Sequence, residues 1–281
     1  MADLDHDTAV RTVERDDMRS LHRAAASDEW AIWGPMGGYV ASIALRAAGA
    51  HCGRARPASI NANFLAVAAH DELDVAVTTL RTTRVATCMR VELTQAGKPV
   101  LEATVWGTDT VEGMTHHTER SRPDVPGPDG LGSFVDLLAA AGETTPFEFW
   151  NRLDYRPTSW IDDWENREPR EPETSSWYRF VDHAPTEDRW LDDCRLLITT
   201  DLDAWGPACY PHTGELDWFA PTIELTCRFL QPAPEWLLSW GAAPVAHEGL
   251  IGAQSEIWSA DDRLLATVSY THLTLPTKVT G

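Results

Sequence analysis

At 281 residues the chain is long enough for two medium domains or one large one, and 43% hydrophobic with 23% charged residues is the composition of a globular protein, not a disordered one. A formal charge of -20 opposes binding to nucleic acid or to an anionic membrane, so an anionic ligand needs a local basic patch. Five scattered cysteines without a CxxC pair support neither a disulfide framework nor a zinc knuckle, and an acidic start with no long apolar run reads as cytoplasmic.

Residues 1–28 are polar, with weak helical character over 8–26, and 29–33 fits a short strand. Gly34, Pro35, Gly37 and Gly38 then predict a turn whose backbone can approach a ligand closely. The stretch 37–48, GGYVASIALRAA, is small or apolar almost throughout, so as a helix it must be buried nearly all round. Ser42 and Arg46 share one stripe, its line to the outside, and Gly49 is placed to stop it. Exposed amides at such a helix start suit an oxygen with partial negative charge, which makes Gly37 and Gly38 substrate-binding candidates. Strands follow at 59–66, 72–82, 86–95 and 99–106, with Ala96 and Gly97 as a tight turn. One buried helix and then a run of antiparallel strands is the recipe of a hotdog domain; a generic core helix of an α+β protein is the other reading.

The stretch 108–145 is rich in Pro and Gly around one helical patch at 134–141, and reads as a connection between domains. Strand-like material returns at 147–155 and 177–181, separated by an acidic, proline-containing loop at 162–174. A second helix is expected over 191–205, ended by Gly206 and Pro207, and strands at 221–230, 235–242, 249–259 and 264–270. The order of the first half has come round again. LEATV at 101–105 recurs as LLATV at 264–268, Glu72 falls on Glu235 at the same offset, and Phe64-Leu65 recurs as Phe229-Leu230 two residues out of step. We therefore expect an N-terminal domain at 1–112, a linker at 113–146 and a C-terminal domain at 147–281.

In the second helix Leu191, Cys194, Ile198, Leu202 and Trp205 define a buried stripe. Asp201 projects beside that stripe and Asp203 more towards the polar side. A carboxylate in partly apolar surroundings keeps a raised pKa and can act as a base or hold a water, whereas on a solvated flank it does neither. Other motifs are weak: no GxSxG elbow occurs, His247-Glu248 lacks the second histidine of HExxH, and His116-His117 lies in the linker. Arg81, Arg84 and Arg90 are the most concentrated basic group; they could meet phosphates or be the exposed side of paired strands.

WGPMGGYVASIALRAA, then NFL, then TQAGKPVLEATVWG in the first half, and TTDLDAWGPACYPHTG, PTIELTCRFLQPAPEWLL and DRLLATV in the second, resemble segments of the acyl-CoA thioesterase II (TesB-like) family. The resemblance implies a tandem (double) hotdog of the α+β class, each half a long central helix wrapped by an antiparallel β-sheet. It also implies a site of Asp, Thr and Gln that orients the water attacking a thioester carbonyl, without a covalent intermediate, metal or organic cofactor. Asp201 in TDLDAW matches the Asp and Thr222 in PTIEL the Thr, while Tyr270 stands where the Gln is expected. The segment SYTHLTLPTK resembles a translated adapter or vector read-through, which implies a replaced natural end.

The expected function is hydrolysis of an acyl-CoA to free fatty acid and CoA by a cytoplasmic homo-oligomer that binds neither nucleic acid nor membrane. Two other readings stand beside it. An enoyl-CoA hydratase on the same fold would want a DxNPxH-like segment, which LDAWGPACYPH does not supply, and a non-catalytic acyl-CoA-binding protein would be consistent with Tyr270.

Overall fold

The computed structural model describes residues 3–276 except 118–120, 215 and 217. In chain order, α1 (Leu4–Asp7), β1 (Arg11–Arg15) and β2 (Arg19–Ala25) precede the long helix α2 (Gly37–Cys52) and the strands β3 (Arg56–Phe64), β4 (Glu72–Thr82), β5 (Ala86–Gln95) and β6 (Lys98–Thr108). A connection holding α3 (Phe134–Ala140) leads to β7 (Leu153–Pro157), β8 (Glu173–Phe180), α4 (Arg189–Thr200), α5 (Trp205–Cys209) and β9 (Trp218–Phe219). The chain then forms β10 (Thr222–Phe229), β11 (Leu237–His247), β12 (Leu250–Trp258), β13 (Leu264–Leu273) and β14 (Leu275–Pro276).

Twelve strands make one antiparallel sheet in the order β1-β2-β4-β5-β6-β3-β10-β13-β12-β11-β8-β7. Outward from the central β3 and β10 the order repeats, and each half wraps a helix, α2 against β3 to β6 and α4 against β10 to β13. This is the tandem hotdog. Asn61 faces Thr226 across the central pair, and these are 165 residues apart, the same step as Phe64 to Phe229, so a pseudo-twofold axis passes between them. The strand registers keep that step: Ala103 lies opposite Ala62 as Val268 lies opposite Cys227. LEATV and LLATV are therefore two residues out of the structural alignment, and Leu101 corresponds to Ala266; an even slip keeps the same face of the sheet inward.

The two helices cross antiparallel, with Cys194 Sγ 3.9 Å from the Ser42 carbonyl near the axis. Their approach requires glycine on α2. A Cβ at Gly38 would stand 2.8 Å from the Leu197 oxygen and 2.9 Å from Ile198 Cα, and one at Gly49 would stand 2.5 Å from Trp190 Cγ. Gly49 is thus a contact point and not the helix end; α2 runs on to Cys52, and Gly53, in the left-handed region at φ 62°, closes it. Ile43, Leu45 and Tyr39 are fully enclosed, each aliphatic side chain contributing about 1.5–3 kcal/mol by leaving water. Of the polar stripe, Ser42 is buried and returns its hydroxyl to the Gly38 carbonyl, while Arg46 alone reaches outward, to Asp5 at 2.7 Å and Asp188 at 3.7 Å.

Other sequence expectations are corrected. Residues 8–26 hold strands, with Ser20, His22 and Ala24 alternately buried on β2 because β4 pairs with it. Residues 28–30 form a 3-10 turn that buries Trp30, whose Nε1 donates to Asp7 Oδ2 at 2.9 Å. Residues 148–152 are a 3-10 turn before β7. The second helix stops at Thr200, and Gly206 and Pro207 belong to the separate α5 instead of ending it. On α4 even Asp192, Asp193 and Arg195 are buried, held by pairs of 2.7 Å (Arg195 with Asp192) and 2.8 Å (Arg189 with Asp193). Among the described residues no helix is long and apolar enough to cross a membrane.

Candidate active site

Asp201 is the C-cap that follows α4, its amide donating to the Ile198 carbonyl at 3.2 Å while its carboxylate turns to the other half of the chain. There α2 begins without a side-chain cap of its own. Asp201 Oδ2 accepts the Gly38 amide at 2.8 Å, so a residue of one half caps the buried helix of the other. A Cβ at Gly37 would stand 2.8 Å from the same oxygen, which fixes Gly37 as well as Gly38 by close approach. Gly38, expected to face substrate, has its amide occupied by Asp201; Gly37 lines the adjoining cavity.

Thr222, the first residue of β10, donates from Oγ1 to Asp201 Oδ1 at 3.1 Å. Its cross-strand neighbour on β13 is His272, with Nε2 2.9 Å from Thr222 Oγ1. A threonine hydroxyl has one proton. With that hydroxyl proton directed at the Asp201 carboxylate, His272 must donate, which gives the Nε2–H tautomer and the order His272, Thr222, Asp201. Burial pushes the Asp201 carboxyl up to about 6, against the Gly38 and Thr222 hydrogen bonds that pull it down. Burial also pushes His272 down to about 4, which keeps the imidazole neutral.

Tyr270 is not the partner of Thr222. It lies two residues earlier on β13, opposite Leu225, 2% exposed, with its ring 5.1 Å edge-on from that of His272. Its register mate in the first half is the core residue Val105, and it packs as core. His272 lies inside the segment 269–278 whose resemblance implied a replaced end, and the strand, expected to stop at Tyr270, runs through that segment to Leu273. Alternate burial of Val268, Tyr270 and His272 continues past that point, and the β-compatible residues after Tyr270 were the available signal.

Asp203 does not take the polar side. It is 4% exposed, accepts the Tyr178 hydroxyl on Oδ1 at 3.1 Å, and is pushed up to about 6 by burial. Gly241 on β11 gives it room, since a Cβ there would stand 2.4 Å from Asp203 Cβ.

Asp201, Thr222 and His272 open on a cavity of about 760 Å³ between the two halves, with walls that include Trp33, Phe64, Trp150, Trp205 and Phe219. Arg81, Arg84 and Arg90 do not line it; Arg90 instead pairs with Glu102 at 2.9 Å on the exposed sheet. Among the described residues no three His, Cys, Asp or Glu come together as a metal site. An activated carboxylate, a fixed hydroxyl and an apolar cavity suit attack of water on an apolar acyl group.

Residues 26–108 match the acyl-CoA thioesterase N-terminal domain and residues 109–273 the acyl-CoA thioesterase C-terminal domain. Among curated proteins none matches. Similar solved structures include a conserved hotdog-fold protein of unknown function from Alicyclobacillus acidocaldarius, with TM-score 0.81, 23% identity and 97% of each chain covered. Another is the acyl-CoA thioesterase II TesB2 of Mycobacterium marinum, with TM-score 0.77, 19% identity and 97% of this chain and 98% of that one covered. At those identities the structures show a shared fold. The two domain matches, in order and together reaching from residue 26 to 273, show that the chain belongs to the acyl-CoA thioesterase family and is a thioester hydrolase.

Proposed function

We propose that the protein hydrolyses an acyl-CoA to a free fatty acid and CoA by direct attack of a water held by Asp201 and Thr222. The observation that carries this is the 3.1 Å bond between these two side chains on the cavity wall, with a carboxyl group poised near pH 6. Ionised Asp201 takes a proton from the water as its oxygen bonds to the thioester carbon, and the carbonyl electrons move to oxygen. That oxyanion faces the positive end of α2 at Gly37. On collapse the carbon–sulfur bond breaks, and the thiolate recovers the proton from Asp201. The aromatic wall excludes water and receives the acyl group.

Free-thiol release with a panel of acyl-CoAs, run beside a binding measurement on the same panel, tests this reading. Binding without release would leave a ligand-binding protein and remove the catalytic role.

The base must be ionised, so kcat/KM should fall as pH drops through about 6, by roughly tenfold per unit once well below it. His272 should not enter this range, because its pKa is already near 4. A flat profile from pH 5 to 8, where chemistry limits the rate, would remove Asp201 as the base.

His272→Ala takes away the donor that fixes the Thr222 hydroxyl, and should lower kcat by about tenfold or more with little change in KM. His272→Gln keeps an N–H donor and should retain most of the turnover. Equal activity of the alanine form and the parent would show that Thr222 needs no such orientation.

A further inference from the structure

The main cavity has no Arg or Lys among its described lining residues, and the chain as a whole is strongly acidic. A phosphate-bearing or carboxylate-bearing substrate must find its cation elsewhere. Beside that cavity is a smaller one of about 300 Å³, which shares Trp164, Trp205 and Trp218 with it and is lined by Arg167.

Arg167 is only 8% exposed. Its Nη1 donates to the carbonyls of Trp164 and Gly214, and its guanidinium lies over the Trp164 ring at 5.1 Å. Its Nε and Nη2 are buried without a hydrogen-bond partner. Arg170, half-buried and lining neither cavity, repeats the bonding pattern: Nη1 donates to Ser159 Oγ at 3.2 Å, the guanidinium lies 4.0 Å over Tyr210, and Nε and Nη2 again have no partner. The Trp164 and Tyr210 rings are 6.1 Å apart, and both line the main cavity. Glu165 also lines the smaller cavity, yet neither arginine makes an ion pair with it or with any other described residue.

Nε and Nη2 are the two parallel N–H groups on one edge of a guanidinium, the edge that meets two oxygens of a phosphate or carboxylate. Leaving charged donors buried and unpaired is costly, and here it happens twice, on the same edge, with each guanidinium stacked on an aromatic ring of the substrate cavity. We propose that Arg167 and Arg170 form an anion subsite that receives an oxyanion group of the substrate: a phosphate of its CoA handle or a carboxylate carried by its acyl group. The proposal rests on the thioesterase reading for the identity of the substrate.

The test compares the parent with Arg167→Met and Arg170→Met on three thioesters: a straight-chain acyl-CoA, the same acyl group on N-acetylcysteamine, and an ω-carboxyacyl N-acetylcysteamine. Each substitution should lower kcat/KM by about tenfold or more, through KM, wherever the anion is present, and leave the anion-free thioester within about twofold. Loss confined to the CoA thioester identifies phosphate, and loss confined to the ω-carboxyacyl compound identifies carboxylate; either supports the subsite. Equal rates on all three, or an equal loss on all three, overturn it. Should the methionine forms fail to fold, Arg167→Lys and Arg170→Lys keep the charge, lose the two-toothed edge, and should show the same pattern. Should the parent cleave no thioester, the thioesterase reading fails by itself. Calorimetry with inorganic pyrophosphate and with glutarate then decides the subsite: binding weakened by the substitutions supports it, and binding absent or unchanged overturns it.

Discussion

Asp201→Asn is expected to lower turnover by about 10²- to 10⁴-fold while leaving the fold and acyl-CoA binding in place. Asparagine can turn its oxygen to the Gly38 amide and so keep the cap on α2, but it cannot accept a proton from water at any pH near neutrality. Stability should move the other way. A carboxyl whose folded pKa is raised from 3.8 to about 6 removes stability as pH rises through that window, because the unfolded chain ionises first. The variant has no such group, so above pH 6 it should melt no lower than the parent, and by the sign of the shift higher. Thiol release and thermal melting at pH 8 measure both. Parent-like turnover by Asp201→Asn would discard Asp201 as the base, whatever the melting shows.

Gly38→Ala should cost about 1–3 kcal/mol of stability, and activity with it. The added Cβ would meet the Leu197 oxygen and Ile198 Cα, both main-chain atoms that no rotamer change can move, and would stand 3.1 Å from Asp201 Cβ. Either α2 and α4 separate or Asp201 shifts, and the second outcome spoils its geometry towards Thr222. Gly97→Ala, where nothing lies within 4 Å but φ is 76°, is the comparison that separates backbone preference from overpacking. If chemical denaturation found Gly38→Ala as stable as the parent, the tight helix crossing would not be rigid.

Much of this could be read in the letters. The enclosed helix followed from GGYVASIALRAA, and the turn at Ala96 and Gly97 has both residues at positive φ, 49° and 76°. The structure brings Asp201 and Thr222, 21 residues apart in sequence, within hydrogen-bonding distance, a contact proposed by the resemblance and not by local pattern. What was illegible depends on partners distant in the chain. β2 is a strand because β4 is beside it, although SLHRAA alone is ambiguous. The buried ions of α4 are sheltered by one another, which a stripe of apolar letters does not reveal. Asp203 turns inward because Gly241, 38 residues later, leaves space for it. His272 gains its meaning only from the register that sets it opposite Thr222.

The pseudo-twofold axis also determines what stands in the mirror of the candidate site. The step that carries Ser42 to Cys194 carries Gly38 to Trp190 and Gly49 to Asp201, and the strand step carries Pro57 to Thr222 and Gly107 to His272. The mirror therefore offers glycine, proline and glycine where the site has aspartate, threonine and histidine. Into that space goes the indole of Trp190, against Gly49 and 2.9 Å from a Cβ at Gly107, with Nε1 donating to the Arg54 carbonyl at 2.7 Å. One seam between the halves thus opens on the main cavity, and the other holds the Trp190 ring. The near-symmetric frame keeps a chamber at the seam of Asp201 and gives the matching space at the other seam to a single tryptophan.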